Sequence, residues 1–226
     1  GALGIGRCLT REFSKLGAKI AFIDRNEEAG LENQKYILAH GGQSLFVKGD
    51  ISNESTIRLF VEKVIEEYGS IDILINNAGY SMGGIFTPCS FDDFNQVIQT
   101  GITAPYLFTQ LFLPYFQENA SIIYISLSRA FMSQANTESY SAAKGGITAL
   151  THALAISLAG KVRVNSIAPG WIDTGKYHDE NYIPDYTKAD IAQHPSKRVG
   201  DPLDIARLAI FYVMNAIVLS MVKILP

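Results

Sequence analysis

Short β-branched runs alternate with helix-period segments along the whole chain, and this alternation restricts the possible folds more than any other feature. The runs are Lys19–Ile23, Ser44–Val47, Ile71–Ile75, Ser121–Ile125 and Val162–Ile167, each bounded by polar residues or glycine. They read as buried central strands. Between them, helical periods cover Ile5–Leu16, Glu27–Ala39, Glu54–Glu67, Phe91–Phe116 and Ser139–Ala159, with Ser52-Asn53-Glu54-Ser55 supplying a cap for the third. Such alternation predicts an α/β fold: a doubly wound parallel sheet with flanking helices on both faces. The chain has 226 residues and neither an internal repeat nor a low-complexity linker, so residues 1–226 are expected to form a single domain. Residues 171–202, rich in Asp, Tyr, Pro and Lys without a period, break the rhythm and read as a functional lid. Beyond them Leu203–Val213 reads as a helix and Ala216–Leu219 as a final strand.

Composition removes several classes of function. The net charge is -3 and no basic run is present to neutralise phosphates, which argues against nucleic acid as a partner. Cys8 and Cys89 lie far apart, outside any CxxC motif or His cluster, as expected of reduced, non-ligand thiols in a cytoplasmic protein. His40, His152, His178 and His194 have no metal-ligand spacing, so no metal is expected. The tail Leu208–Pro226 is apolar, but Asn215, Ser220 and Lys223 interrupt it, and the expectation is no membrane span. The chain opens at Gly1 without Met or a signal-like segment, so its true N-terminus is expected to lie upstream.

The chemistry begins at the first residue. Gly1-Ala2-Leu3-Gly4-Ile5-Gly6 runs directly into an amphipathic helix, and Asp24 follows at about the distance expected of an acidic ribose ligand. Glycine there lets the backbone approach a pyrophosphate held at a helix N-terminus. Asp24 can accept both ribose hydroxyls and would repel a 2′-phosphate, so NAD is preferred over NADP, with Arg25 the neighbour that would favour the phosphate. Gly49-Asp50-Ile51 and Asn76-Asn77-Ala78-Gly79 each close a strand run, on the edge where open α/β sheets bind ligands. Asp50 can reach an adenine. Asn77 either ties neighbouring strands together or contacts the cofactor.

Tyr140-Ser141-Ala142-Ala143-Lys144 places a phenol and an ammonium one helical turn apart on one face. An unaided tyrosine titrates near 10, so proton transfer by it at neutral pH requires a nearby cation to stabilise the phenolate. Lys144 supplies that cation.

The glycine-rich opening, Asp24, Asn76-Asn77-Ala78-Gly79, the YxxxK pair and Pro169-Gly170 occur in the order of the short-chain dehydrogenase/reductase family, which the chain resembles over nearly its whole length. The resemblance implies a Rossmann fold, a homo-oligomer (dimer or tetramer), and hydride transfer between a nicotinamide and a small-molecule alcohol or carbonyl. It implies that Tyr140 exchanges the proton with the substrate oxygen, while Lys144 binds the nicotinamide ribose and lowers the Tyr140 pKa. It also implies that Pro169-Gly170-Trp171-Ile172-Asp173-Thr174 holds the carboxamide, through Ile172 by its backbone and through Thr174, and that residues 171–202 form the substrate loop.

Several positions depart from the family pattern. Thirteen residues before the tyrosine, where the family has a serine that polarises the substrate, this chain has Leu127. Ser126 and Ser128 flank it, but adjacent strand residues face opposite ways, so neither replaces the serine without a register slip or bulge. Losing such a donor typically costs on the order of 10²–10³ in rate, which predicts a slow enzyme or a non-catalytic dinucleotide-binding or interaction protein. Gly101 aligns with an Asn that supports a relay water, leaving only a backbone carbonyl for that task. The first strand and the Thr-Gly expected before Gly1 are absent, which should leave a central slot of the sheet empty, and the usual Asp-Gly-Gly ending near the C-terminus is replaced by Ala216–Met221.

Overall fold

The computed structural model describes residues 1–214. In chain order its elements are α1 (Gly4–Lys15), β1 (Lys19–Asp24), α2 (Glu27–Ala39), β2 (Gln43–Lys48), α3 (Glu54–Tyr68), β3 (Ile71–Asn76), α4 (Phe91–Ile98), α5 (Ala104–Phe112), β4 (Phe116–Ile125), α6 (Glu138–Ser157), β5 (Arg163–Ile167), α7 (Lys188–Ala192) and α8 (Pro202–Met214). The alternation predicted from sequence is therefore present, with boundaries shifted by one or two residues at most elements. Ala216–Leu219 and most of the apolar tail lie outside the described residues.

Every strand pair is parallel, as the α/β class requires, and the strands form two sheets, β1-β2 and β3-β4-β5. The described residues divide into two compact units, Gly1–Lys48 with Pro169–Ile210, and Gly49–Ala168 with 211–214. In the first unit β1 and β2 pair in register from Lys19↔Gln43 to Asp24↔Lys48. In the second, β4 lies in the middle, and its Ile122, Ile123 and Tyr124 are fully buried. The Tyr124 hydroxyl would be costly to bury unpaired, and it shares a 2.7 Å hydrogen bond with Thr109 Oγ1 of α5.

Phe91–Phe116 is not the one long helix its periodicity predicts. The ring of Pro105 has no N–H to give the carbonyl of Gly101, and the helix widens into a π turn over Gln99–Thr103. Phe108 and Phe112 do form a buried face, with Phe108 edge-on to Phe60 of α3 at 5.8 Å between centroids. Phe116 continues their spacing but has left the helix, and begins β4 by pairing with Ile71.

The irregular segment 171–202 has a framework of its own. Asp173 accepts hydrogen bonds from the Gly175 N–H at 2.8 Å and from the Tyr186 hydroxyl. The backbone of Trp171 and Asp173 is bonded to Gly200, and Trp171 stands edge-on to Tyr186 at 5.9 Å. Thr187 and Asp190 form a capping box that starts α7. The lid expected from composition is thus partly helical.

Candidate active site

Each unit carries one group of the residues singled out from sequence. In the first unit, Gly1 to Gly6 lead into α1, and Gly4 adopts the left-handed conformation with φ +56° that favours glycine. A Cβ at Gly4 would lie 3.5 Å from the Thr174 side chain, so the residue predicted to contact the carboxamide stands against the glycine-rich turn. Asp24 ends β1, and both of its carboxylate oxygens are oriented by backbone N–H groups, Oδ2 by Ala2 at 2.9 Å and Oδ1 by Asn26 at 3.0 Å. Arg25 beside it is exposed. Pro169 is buried, Gly170 is exposed, and Ile172 bridges to Gly200.

Two supports of this turn carry no motif and escape sequence reasoning. Arg7 is buried, donates from Nε to the Ala2 carbonyl at 2.6 Å, and makes a two-pronged pair with Glu32 at 3.0 and 3.1 Å. Asn33 is fully buried and donates from Nδ2 to the Gly1 carbonyl and to Thr10. Their only signal is the placement of polar residues on the buried faces of α1 and α2.

In the second unit, Asp50 and Ile51 follow β2, and the exposed Asp50 carboxylate accepts the Ser52 N–H at 2.8 Å, shaping the turn into α3. Asn77, Ala78 and Gly79 follow β3 directly. Among the described residues no hydrogen bond is made by the Asn77 side chain to a neighbouring strand. Gly79 faces Lys144: a Cβ there would lie 3.2 Å from Nζ, and glycine leaves that space open.

Tyr140 and Lys144 lie on successive turns of α6, with Nζ 5.4 Å from the centroid of the phenol ring. Lys144 is buried, its ammonium donates to the Ile125 carbonyl at 2.7 Å, and burial pulls its pKa down to about 8. Burial pushes the Tyr140 phenol up, and the charge of Arg129 opposes that rise.

Leu127 lies immediately beyond β4 in extended conformation, and a 3-10 turn over Ser128–Ala130 follows. Ser126 does not substitute for the family serine. Its N–H continues the sheet by donating to the Ile167 carbonyl at 2.8 Å, while its hydroxyl donates to the Lys144 carbonyl at 3.0 Å and meets Thr148 Oγ1 at 2.8 Å. Thr148 also donates to the Lys144 carbonyl. Lys144 is therefore held at both ends, by Ile125 through its side chain and by Ser126 and Thr148 through its backbone. The Ser126 hydroxyl is thus taken up by α6, a partner that is invisible in sequence.

Gly101, on the π turn, packs against α6 so closely that a Cβ would lie 2.8 Å from that of Ala143. Gly101→Asn is accordingly expected to lower stability by about 2 kcal/mol through overpacking, with most of the loss recovered in Gly101→Asn/Ala143→Gly. Chemical denaturation of the three chains checks this, and an undiminished midpoint for Gly101→Asn would remove the close approach from the account.

The family model described as enoyl-(acyl carrier protein) reductase matches residues 1–218. This chain is a short-chain dehydrogenase/reductase. It is 39% identical to an uncharacterized oxidoreductase of Thermotoga maritima over 93% of this chain and 84% of that protein. It is 33% identical to the 3-oxoacyl-[acyl-carrier-protein] reductase FabG of Chlamydia pneumoniae over 93% of this chain and 86% of that one. Among solved structures, an apo SCOR enzyme from Clostridium thermocellum superposes with a TM-score of 0.89 at 34% identity, covering 100% of this chain and 88% of the other. A blue fluorescent protein from a metagenomic library, solved in complex with NADPH, superposes with a TM-score of 0.84 at 26% identity over 93% and 86%. The short-chain dehydrogenase/reductase is an oxidoreductase of a family that binds nicotinamide cofactors. No described helix is long and apolar enough to cross a membrane.

Proposed function

We propose that this short-chain dehydrogenase/reductase transfers a hydride between a nicotinamide dinucleotide, NAD in preference to NADP, and an alcohol or carbonyl group of a small organic substrate. The observation that carries the reading is the Tyr140–Lys144 pair on one face of α6, with the ammonium fixed by Ile125. The first unit suits an anionic dinucleotide: Leu3 at the start of α1 gives no side-chain cap to the first-turn N–H groups, which point to where an anion would lie. The bound dinucleotide supplies or accepts the hydride. Gly1, Gly4, Ile5 and Gly6 present backbone to its pyrophosphate, and Asp24 accepts its ribose hydroxyls. Asp50, Ile51, Asn77, Ala78 and Gly79 flank its adenine side and the second ribose. Pro169, Gly170, Ile172 and Thr174 hold its carboxamide. In the reducing direction Tyr140 gives its phenolic proton to the substrate oxygen, and Lys144 holds positive charge beside the phenolate that results. Residues 1–226 act as one dinucleotide-binding domain, in the cytoplasm, as a homodimer or homotetramer.

The cofactor choice rests on the Asp24 carboxylate, whose charge opposes a 2′-phosphate. Since the metagenomic relative was solved with NADPH, fluorescence titration with NADH and NADPH is the direct test. NADH is expected to bind at least about tenfold more tightly, with the difference shrinking in Asp24→Ser; equal binding by the unaltered chain would defeat the preference. Leu127 supports a second reading, a dinucleotide-binding protein without catalysis. That reading predicts tight dinucleotide binding but no turnover of a secondary-alcohol panel, either in the unaltered chain or in Leu127→Ser.

A further inference from the structure

With Leu127 in the serine position and the Ser126 hydroxyl committed to α6, the substrate oxygen lacks its expected donor. The 3-10 turn that begins one residue after Leu127 carries Arg129 at its centre. Arg129 is half-buried, and among the described residues its guanidinium has neither an ion pair nor a hydrogen bond. A guanidinium not engaged by a carboxylate keeps its N–H donors available to a ligand. The turn is anchored next to the catalytic helix on both sides: the Ser126 hydroxyl bonds to α6 before it, and Ser133 Oγ donates to Ser141 Oγ at 3.1 Å after it. Ser141 is the neighbour of Tyr140, and the Arg129 charge is felt at the Tyr140 phenol. The Lys144 ammonium, 5.4 Å from the centre of the Tyr140 ring, is turned to the Ile125 carbonyl.

We propose that Arg129 is a catalytic residue of this short-chain dehydrogenase/reductase, donating a charged hydrogen bond to the substrate oxygen in the role that Leu127 cannot fill. The inference rests on the oxidoreductase reading. A guanidinium has five N–H donors and no acceptor, and it stays charged throughout the working pH range, so it suits an oxygen that gains negative charge during reaction. Arg129 makes and breaks no covalent bond. In the reducing direction the carbonyl carbon takes the hydride of the reduced nicotinamide, the carbon–oxygen π pair moves onto oxygen, and that oxygen takes the proton of Tyr140. Arg129 opposes the charge before the proton arrives, and opposes the charge left on the phenolate afterwards.

The test has two readouts. In the dinucleotide-free protein labelled with ¹³Cζ-tyrosine, the resonance of Tyr140 is identified by its loss in Tyr140→Phe and followed against pH. Arg129→Gln is expected to raise its midpoint by about half a pH unit or more, and Arg129→Lys by less. With NADH or NADPH and 2,3-butanedione, Arg129→Gln is expected to lose on the order of 10²-fold in kcat/KM, and to lose much less in a Leu127→Ser background, where a second donor is present. An unmoved phenol midpoint in Arg129→Gln overturns the proposal, and so does an equal loss in both backgrounds. If Tyr140→Phe itself retains full turnover, the oxidoreductase reading fails instead, an outcome distinct from a Tyr140→Phe chain that is inactive while Arg129→Gln is not.

Discussion

Tyr140→Phe is expected to lower kcat by on the order of 10²–10⁴-fold, the range that a positioned general acid–base contributes, while leaving the fold intact. The expectation of an intact fold is specific. Among the described residues the Tyr140 hydroxyl has no hydrogen-bond partner, and burial alone pushes its pKa upward. Removing an oxygen that forms no bond costs no hydrogen bond, and the ring remains to pack. Loss of turnover with an unchanged thermal midpoint would separate chemistry from folding in a single substitution. Equal turnover of a secondary-alcohol panel by the two chains, with either nicotinamide dinucleotide, would end the role assigned to Tyr140.

Lys144→Met is expected to abolish turnover and, at pH 7, to make the protein more stable. The cause is the burial that brings the Lys144 pKa from 10.5 to about 8. At pH 7 the amine is charged in the folded and unfolded chains alike, so the folded chain carries the full desolvation cost, roughly 3 kcal/mol for a shift of that size. Between about pH 8 and 10.5 the folded chain has released a proton that the unfolded chain still binds. Stability from this group therefore rises with pH through that window. Methionine fills a similar volume without the charge, but it leaves the Ile125 carbonyl without its 2.7 Å donor, which offsets about 1 kcal/mol. The net expectation is a gain of about 2 kcal/mol at pH 7 that shrinks as the pH approaches 10. Urea denaturation of the two chains at pH 7 and pH 9.5 measures it. A stability difference that does not change between those pH values would show that the burial of Lys144 carries no such cost.

The parts of this fold that were legible in the sequence are those that depend on local pattern. Each apolar run became a strand, and those of β4 and β5 are buried on both faces, as with Ile122 and Ile123. The single long helix over Phe91–Phe116 was misleading for a physical reason. The four-residue spacing of Phe108, Phe112 and Phe116 persists across a helix end, whereas the elements that interrupt it are a proline and a register set by distant Ile71. The order within 171–202 was hidden because Asp173 organises it through the Gly175 N–H and the Tyr186 hydroxyl, contacts that carry no period. At the site, Tyr140 and Lys144 were legible because a helix brings residues four apart together. The tasks of Ser126, Thr148, Arg7 and Asn33 were not, since each depends on a partner that only tertiary structure supplies.

Position 127 stands one residue beyond the last ladder bond of β4, the 2.8 Å bond from the Ser126 N–H to the Ile167 carbonyl. Ser126 before it is bonded to the sheet through its N–H and to α6 through its hydroxyl, whereas Leu127 follows in extended conformation beyond that bond. Such a position is a socket: its occupant can change while the frame around it keeps its shape. In evolutionary terms, catalytic rate can then drift independently of foldability. A lineage that exchanged serine for leucine here would keep a well-folded protein through the interval before any compensating donor arose.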